Sequence, residues 1–168
     1  MSDNYWIKKI GMKIKIVAIG KTHKSFLVDG ENEYLKRIKK YVPIEKIEIP
    51  DLKNAKKLTF AQIKDKEGKL LLAKVEKHSL IVLLDEKGNQ YTSMKFSGWI
   101  QEKMNRGYKN IIFLIGGAYG FSDDVYKVAN EKIALSKMTF SHQMIRMLFT
   151  EQIYRAFTIL NNEPYHHE

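Results

Sequence analysis

The sequence has 168 residues, 44% of them hydrophobic, which suits one folded domain and is too apolar for a disordered tail. Cysteine is absent, no apolar run reaches the roughly 18 residues of a membrane span and no signal peptide is readable, so disulfides and thiolate chemistry are excluded and a cytoplasmic protein is expected. The net charge is +10, and residues 1–80 hold 19 of the 29 bases but 10 of the 19 acids; the excess favours a polyanionic partner, although a solvated lysine-rich surface explains it equally.

Residues 1–11 (MSDNYWIKKIG) read as an N-terminal extension and residues 12–168 as a single domain. Met12 opens MKIKIVAIG, a β-branched run ending at Gly20 that predicts a buried first strand. Phe26, Tyr34, Leu35, Ile38 and Tyr41 recur at helical spacing from Ser25 until Pro43 stops the run. Ile44, Ile47 and Ile49 predict a short strand closed by Pro50. A lysine-rich helix is expected from Thr59 to Lys77, with Ile63, Leu70, Leu71 and Val75 inward. Leu80–Leu84 follows as a wholly apolar strand ended by the turn residues Asp85 to Asn89. Thr92 or Ser93 caps a helix carrying Phe96, Trp99, Ile100 and Met104. Ile111–Ile115 is a strand running straight into Gly116-Gly117-Ala118-Tyr119-Gly120. Ser122 caps the next helix, whose first turn holds Asp123 and Asp124. Lys137–Phe140 is expected as a further strand and His142–Leu160 as the last helix.

Apolar strands alternating with helices predict an α/β fold with a mostly parallel sheet flanked by helices. The last helix is apolar around so much of its girth that a second subunit is expected to cover it, giving a homodimer.

Few patterns carry chemistry. Gly20-Lys21-Thr22 fails as a phosphate loop, because the motif's first glycine would fall at Lys15, inside a strand. Ile115 to Phe121 is stronger: glycines after a buried strand let a ligand approach the backbone, at the strand end where α/β proteins bind small molecules. A plain tight turn is the competing reading. His23, His78, His142, His166 and His167 lack metal-ligand spacing, so no metal is expected. The tail Tyr165-His166-His167 offers an aromatic and ring donors to an RNA base.

Taken together, FLIGGAYGF at 113–121 and LSKMTFSHQMIRMLFTEQIYRAFTILNNEPYHHE at 135–168 resemble the SPOUT-class family of small methyltransferases that N3-methylate a pseudouridine in large-subunit ribosomal RNA. MKIKIVAIGK from Met12 and EYLKRIKKY from Glu33 extend the resemblance over residues 12–168. It implies a SPOUT fold with a C-terminal trefoil knot, a homodimer, S-adenosylmethionine as methyl donor and ribosomal RNA as partner. It places the donor pocket at Leu84, Gly116 and the loop Leu135, Ser136, Lys137, Met138, Thr139 and Phe140. It points to His142, Tyr165 and His166 as catalytic, by positioning, RNA contact or base action, and to Arg146, Arg155 and His167 as RNA-binding. One subunit's pocket is expected to work with the other's tail. Two positions depart from the family pattern: Ser141 stands where proline is common, and His167 where Arg or Lys is common. The rival readings are a non-catalytic RNA- or ribosome-binding module with a knotted fold, and a SPOUT enzyme acting on transfer RNA.

Overall fold

The β-branched segments all enter one sheet. In the computed structural model, which describes residues 11–167, β1 (Lys13–Ile19), β2 (Ile44–Ile49), β3 (Leu80–Gln90), β4 (Asn110–Ile115) and β5 (Glu131–Ala134) lie in the order β2-β1-β4-β3-β5. Every neighbouring pair is parallel. The expected extension at residues 1–11 lies, but for Gly11, outside the described residues.

Parallel strands need crossover connections, and helical crossovers cover both faces of the sheet. α1 (Ser25–Ile38), α3 (Ser93–Asn105) and α5 (Met144–Leu160) pack on one face; α2 (Phe60–Leu72) and α4 (Asp123–Val128) pack on the other. The side-chain period of two sorts each strand between them. Ile14, Ile16, Val82, Ile111 and Phe113 meet Trp99, Phe149, Ile153 and Phe157. Val17, Ile19, Ile81, Ile112 and Leu114 meet Leu71, Phe121 and Val125. That is why Ile16–Ile19, Leu80–Leu84 and Ile111–Ile115 read as unbroken apolar runs.

Several boundaries differ from expectation, each for a local reason. α1 ends at Ile38, after which the chain turns and buries Tyr41 beside Phe157, ring centroids 5.8 Å apart. α2 stops at Leu72 instead of Lys77, and Leu70 is 38% exposed while Ile63 and Leu71 point inward. β3 does not end at Leu84. Leu84 and Asn89 both pair with Ile133, so Asp85–Gly88 loop out of the ladder and the turn signal becomes a bulge.

The last strand is Glu131–Ala134, not Lys137–Phe140. Glu131 reads as polar, yet its carboxylate accepts from Trp99 Nε1 at 2.8 Å and pairs with Lys103 at 2.5 Å. At Lys137–Phe140 a local turn wins over the ladder, the Met138 amide donating to Ser136 Oγ at 2.9 Å.

α5 lies between α1 and α3, and none of its residues is exposed. Its inward face is covered within one chain, while Ile145, Met147, Leu148, Ile159 and Leu160 stay half-buried. Among the described residues no helix is long and apolar enough to cross a membrane, and no cluster of His, Cys, Asp or Glu is arranged to hold a metal ion.

Candidate active site

The carboxyl ends of β3, β4 and β5 open onto one cleft of about 510 Å³, within the size range of small-molecule sites. The glycine turn Gly116–Gly120 forms one wall and the loop after β5 forms the opposite one. The β3 bulge supplies Asp85, Glu86 and Lys87 at the lip. Across that lip Thr139 Oγ1 approaches Glu86 Oε2 at 3.4 Å, tying the loop to the bulge.

The glycine turn has a physical reason for its composition. Gly120 has φ +79°, in the left-handed region, and it bridges to Gly117. A Cβ on Gly117 would stand 2.7 Å from a carboxylate oxygen of Glu67, which is buried in α2 directly behind the turn. Burial, and then the Asp51 carboxylate, push the Glu67 pKa upward. The bulge depends on a glycine too, since a Cβ on Gly88 would lie 2.6 Å from the Ile133 amide nitrogen.

Of the expected pocket residues, Leu84, Gly116, Leu135, Ser136, Met138, Thr139 and Phe140 line the cleft. Lys137 is exposed and is not among the residues that line it. His142 lines the cleft just ahead of α5. Burial, and then the Arg146 guanidinium, hold its pKa below the usual imidazole value of 6.5, so it is neutral at pH 7. Sequence reasoning missed Asp85, Glu86 and Tyr126. Tyr126 donates its hydroxyl to Asp85, and burial, then that carboxylate, push the phenol pKa up, so it stays a donor.

Arg146 is not where an RNA contact would be. It is 1% exposed, and its guanidinium donates to Gly20 O at 2.9 Å, to Thr22 Oγ1 at 3.2 Å and to Ile19 O. Glu48 lies 3.7 Å away, and Glu31, itself buried, accepts from Thr22 Oγ1 at 2.8 Å and pairs with Lys46. This buried network pins the first turn of α5 to the end of β1 and so fixes where His142 and Ile145 meet the cleft.

The tail folds elsewhere. Tyr165 packs edge-on against Tyr154 with centroids 4.7 Å apart and donates to Glu151 Oε1 at 3.2 Å. Arg155 pairs with Glu151 at 2.6 Å, lies 4.7 Å over the Tyr165 ring and reaches His166 Nδ1 at 3.3 Å. His167 is exposed. Ile145 is the last described residue lining the cleft, and Arg155 is about 15 Å further along α5 at 1.5 Å per residue. Within one chain the expected tail and pocket residues are not brought together.

A family model described as "Predicted SPOUT methyltransferase" matches residues 12–166. The chain belongs to the SPOUT methyltransferase family. It is 57% identical over 157 residues to a Parabacteroides distasonis protein named ribosomal RNA large subunit methyltransferase H, covering 94% of this chain and 100% of the relative. A protein of the same name from Christiangramia forsetii is 56% identical over 156 residues, covering 93% of this chain and 99% of the relative. A solved structure titled as a probable methylase family protein from Haemophilus influenzae Rd KW20 shares the fold, with a TM-score of 0.53 at 14% identity over 94% of this chain and 72% of that one.

SPOUT methyltransferases use S-adenosylmethionine as methyl donor. The cleft fits that molecule. Backbone amides and carbonyls of the two glycine- and serine-bearing walls can hold an adenine edge, and Leu84, Ile115, Leu135 and Ile145 can flank its faces. Asp85 and Glu86 at the lip would offer carboxylates to its positive centres.

Proposed function

We propose that this chain, acting in the cytoplasm as a homodimer, transfers a methyl group from S-adenosylmethionine to N3 of a pseudouridine in large-subunit ribosomal RNA. The observation that carries the reading is the cleft itself: the glycine turn after β4 and the loop at residues 135–140 face each other across a space of the right size and donor set. The names of the relatives supply the substrate class. A trefoil knot in the segment following β4 belongs to the same proposal.

When bound, S-adenosylmethionine supplies an electrophilic methyl carbon, and holding the target nitrogen in line with it provides most of the rate. Gly116 admits the donor against the backbone. Asp85 and Glu86 orient its charged end. His142, neutral at pH 7, has a lone pair available to position the base or take the N3 proton. Tyr165, His166, Arg155 and His167 act on the RNA from the partner subunit, because in their own chain they sit about 15 Å or more along α5 from the cleft.

The test is to incubate the protein with radiolabelled S-adenosylmethionine and ribosomes lacking the modification, with free large-subunit RNA in parallel. Label on one pseudouridine N3, with assembled ribosomes preferred, is the expected result. Donor binding without label moves the substrate elsewhere, and neither label nor donor binding leaves a non-catalytic RNA-binding module as the better account. Mixing a Gly116 variant with a tail-truncated variant restores activity only where the two chains share a site.

A further inference from the structure

Phe60 is 64% exposed and Tyr119 is 46% exposed, yet the two rings stack with centroids 4.2 Å apart and planes 24° from parallel. Single exposed aromatics need no explanation, but an exposed stacked pair held by two separate elements does. Phe60 is the first residue of α2, whose start is fixed by a capping box between Thr59 and Gln62. Tyr119 is held in the Gly117–Gly120 turn and lines the mouth of the cleft. Neither ring's position depends on a flexible stem.

The surroundings are cationic. From Lys53 to Lys66 the chain carries five lysines and one acid, Asp65. Asp65 is engaged by Lys69 at 2.9 Å. Lys64 lies four residues after Phe60 on the same side of α2 and also lines the cleft. Lys53, Lys56 and Lys57 are exposed just ahead of the helix, and among the described residues none of these four lysines makes an ion pair. An exposed aromatic pair flanked along the chain by lysines without ion pairs is the chemistry that receives an unpaired base and its flanking phosphates. A second copy of this chain fits poorly, because the patch would meet a surface of the same sign in a protein of net charge +10.

We propose that Phe60 and Tyr119 form a stacking platform for an unpaired nucleotide next to the one being methylated, with Lys56, Lys57 and Lys64 holding its phosphates. The inference rests on the reading of RNA as substrate and adds where a neighbouring base is held.

The experiment measures binding of a fluorescently labelled, unstructured eight-nucleotide oligoadenylate by anisotropy. It compares wild type, Phe60→Ala and Phe60→Trp, with S-adenosylmethionine affinity measured by calorimetry on the same proteins. Phe60→Ala is expected to weaken oligonucleotide binding roughly 5- to 150-fold, the loss for one base deprived of its aromatic partner. Phe60→Trp is expected to stay within about threefold of wild type, since a larger π-face stacks a base equally well. Donor affinity is expected to stay unchanged in both. Equal oligonucleotide binding by Phe60→Ala and wild type overturns the inference, as does wild type failing to bind. A Phe60→Ala protein whose sedimentation shifts while its RNA affinity holds assigns the pair to a subunit contact and overturns it too. Failure of methyl transfer to ribosomes, read by label, is a separate result that strikes the proposed function while leaving the stacking measurement intact.

Discussion

Replacing Arg146 by Met separates a structural arginine from an RNA-binding one. The guanidinium is fully buried, donates to Ile19 O, Gly20 O and Thr22 Oγ1, and faces Glu48 at 3.7 Å. Met matches the length of the stem but leaves the Ile19 and Gly20 carbonyls and the Thr22 hydroxyl without that donor, and Glu48 with Lys46 at 2.8 Å as its remaining cation. Removing one partner from a buried charged network lowers stability by about 3–5 kcal/mol. At roughly 2–4 °C per kcal/mol for a domain of this size, Tm should fall by about 6–20 °C. The assay is thermal unfolding followed by far-ultraviolet circular dichroism, with denaturant midpoints as a check. His142 gives a second readout. Its pKa is held down by burial first and by Arg146 second, so Arg146→Met should raise the imidazole pKa observed by NMR without bringing it fully back to 6.5. A Tm within about 2 °C of wild type, outside the range expected for a broken buried network, refutes the structural assignment. So does a His142 titration that does not move.

Gly88→Ala drives a Cβ to 2.6 Å from the backbone of β5, where no side chain can yield, so β3 and β5 must part. Stability should drop by about 1–3 kcal/mol or more, and donor affinity should fall because Ile133 and Ala134 line the cleft; unchanged calorimetric affinity refutes this. Glu67→Gln tests the carboxyl behind the glycine turn. Its folded pKa is raised by burial and then by Asp51, so the folded state keeps a proton that the unfolded chain releases, and native stability falls as pH rises above the usual 4.5. The Gln variant should gain on wild type in Tm as pH rises above 4.5, and a difference independent of pH contradicts the account. RNA binding should weaken steeply between low and moderate salt, given the net charge of +10, and a flat response removes the electrostatic contribution.

The sheet was legible in the sequence because its signals are local. Ile16 to Ile19, Leu80 to Leu84 and Ile111 to Ile115 are apolar on successive residues, and only a strand covered on both faces needs that. The glycine turn was legible for the same reason, since backbone room at Gly116 to Gly120 follows a buried strand directly. The loop at 135–140 entered through its resemblance to a family, and only the tertiary structure separates Lys137, which does not line the cleft, from its neighbours that do.

What no local pattern holds is which distant groups meet. Glu131 looks like a loop residue until Trp99 and Lys103 satisfy it. Arg146 looks like a surface cation until β1 ends against it, 126 positions earlier in the chain at Gly20. Phe60 and Tyr119 stack although 59 positions apart in sequence, and Tyr165 reaches back to Glu151 and Tyr34 instead of to its own cleft. The sequence by itself determined the helices and the first four strands, the two-sided core and the family. Tertiary structure decided which charges are buried, which aromatics stay exposed and how far the tail lies from the pocket, because those depend on long-range packing and desolvation that neighbours in sequence do not set.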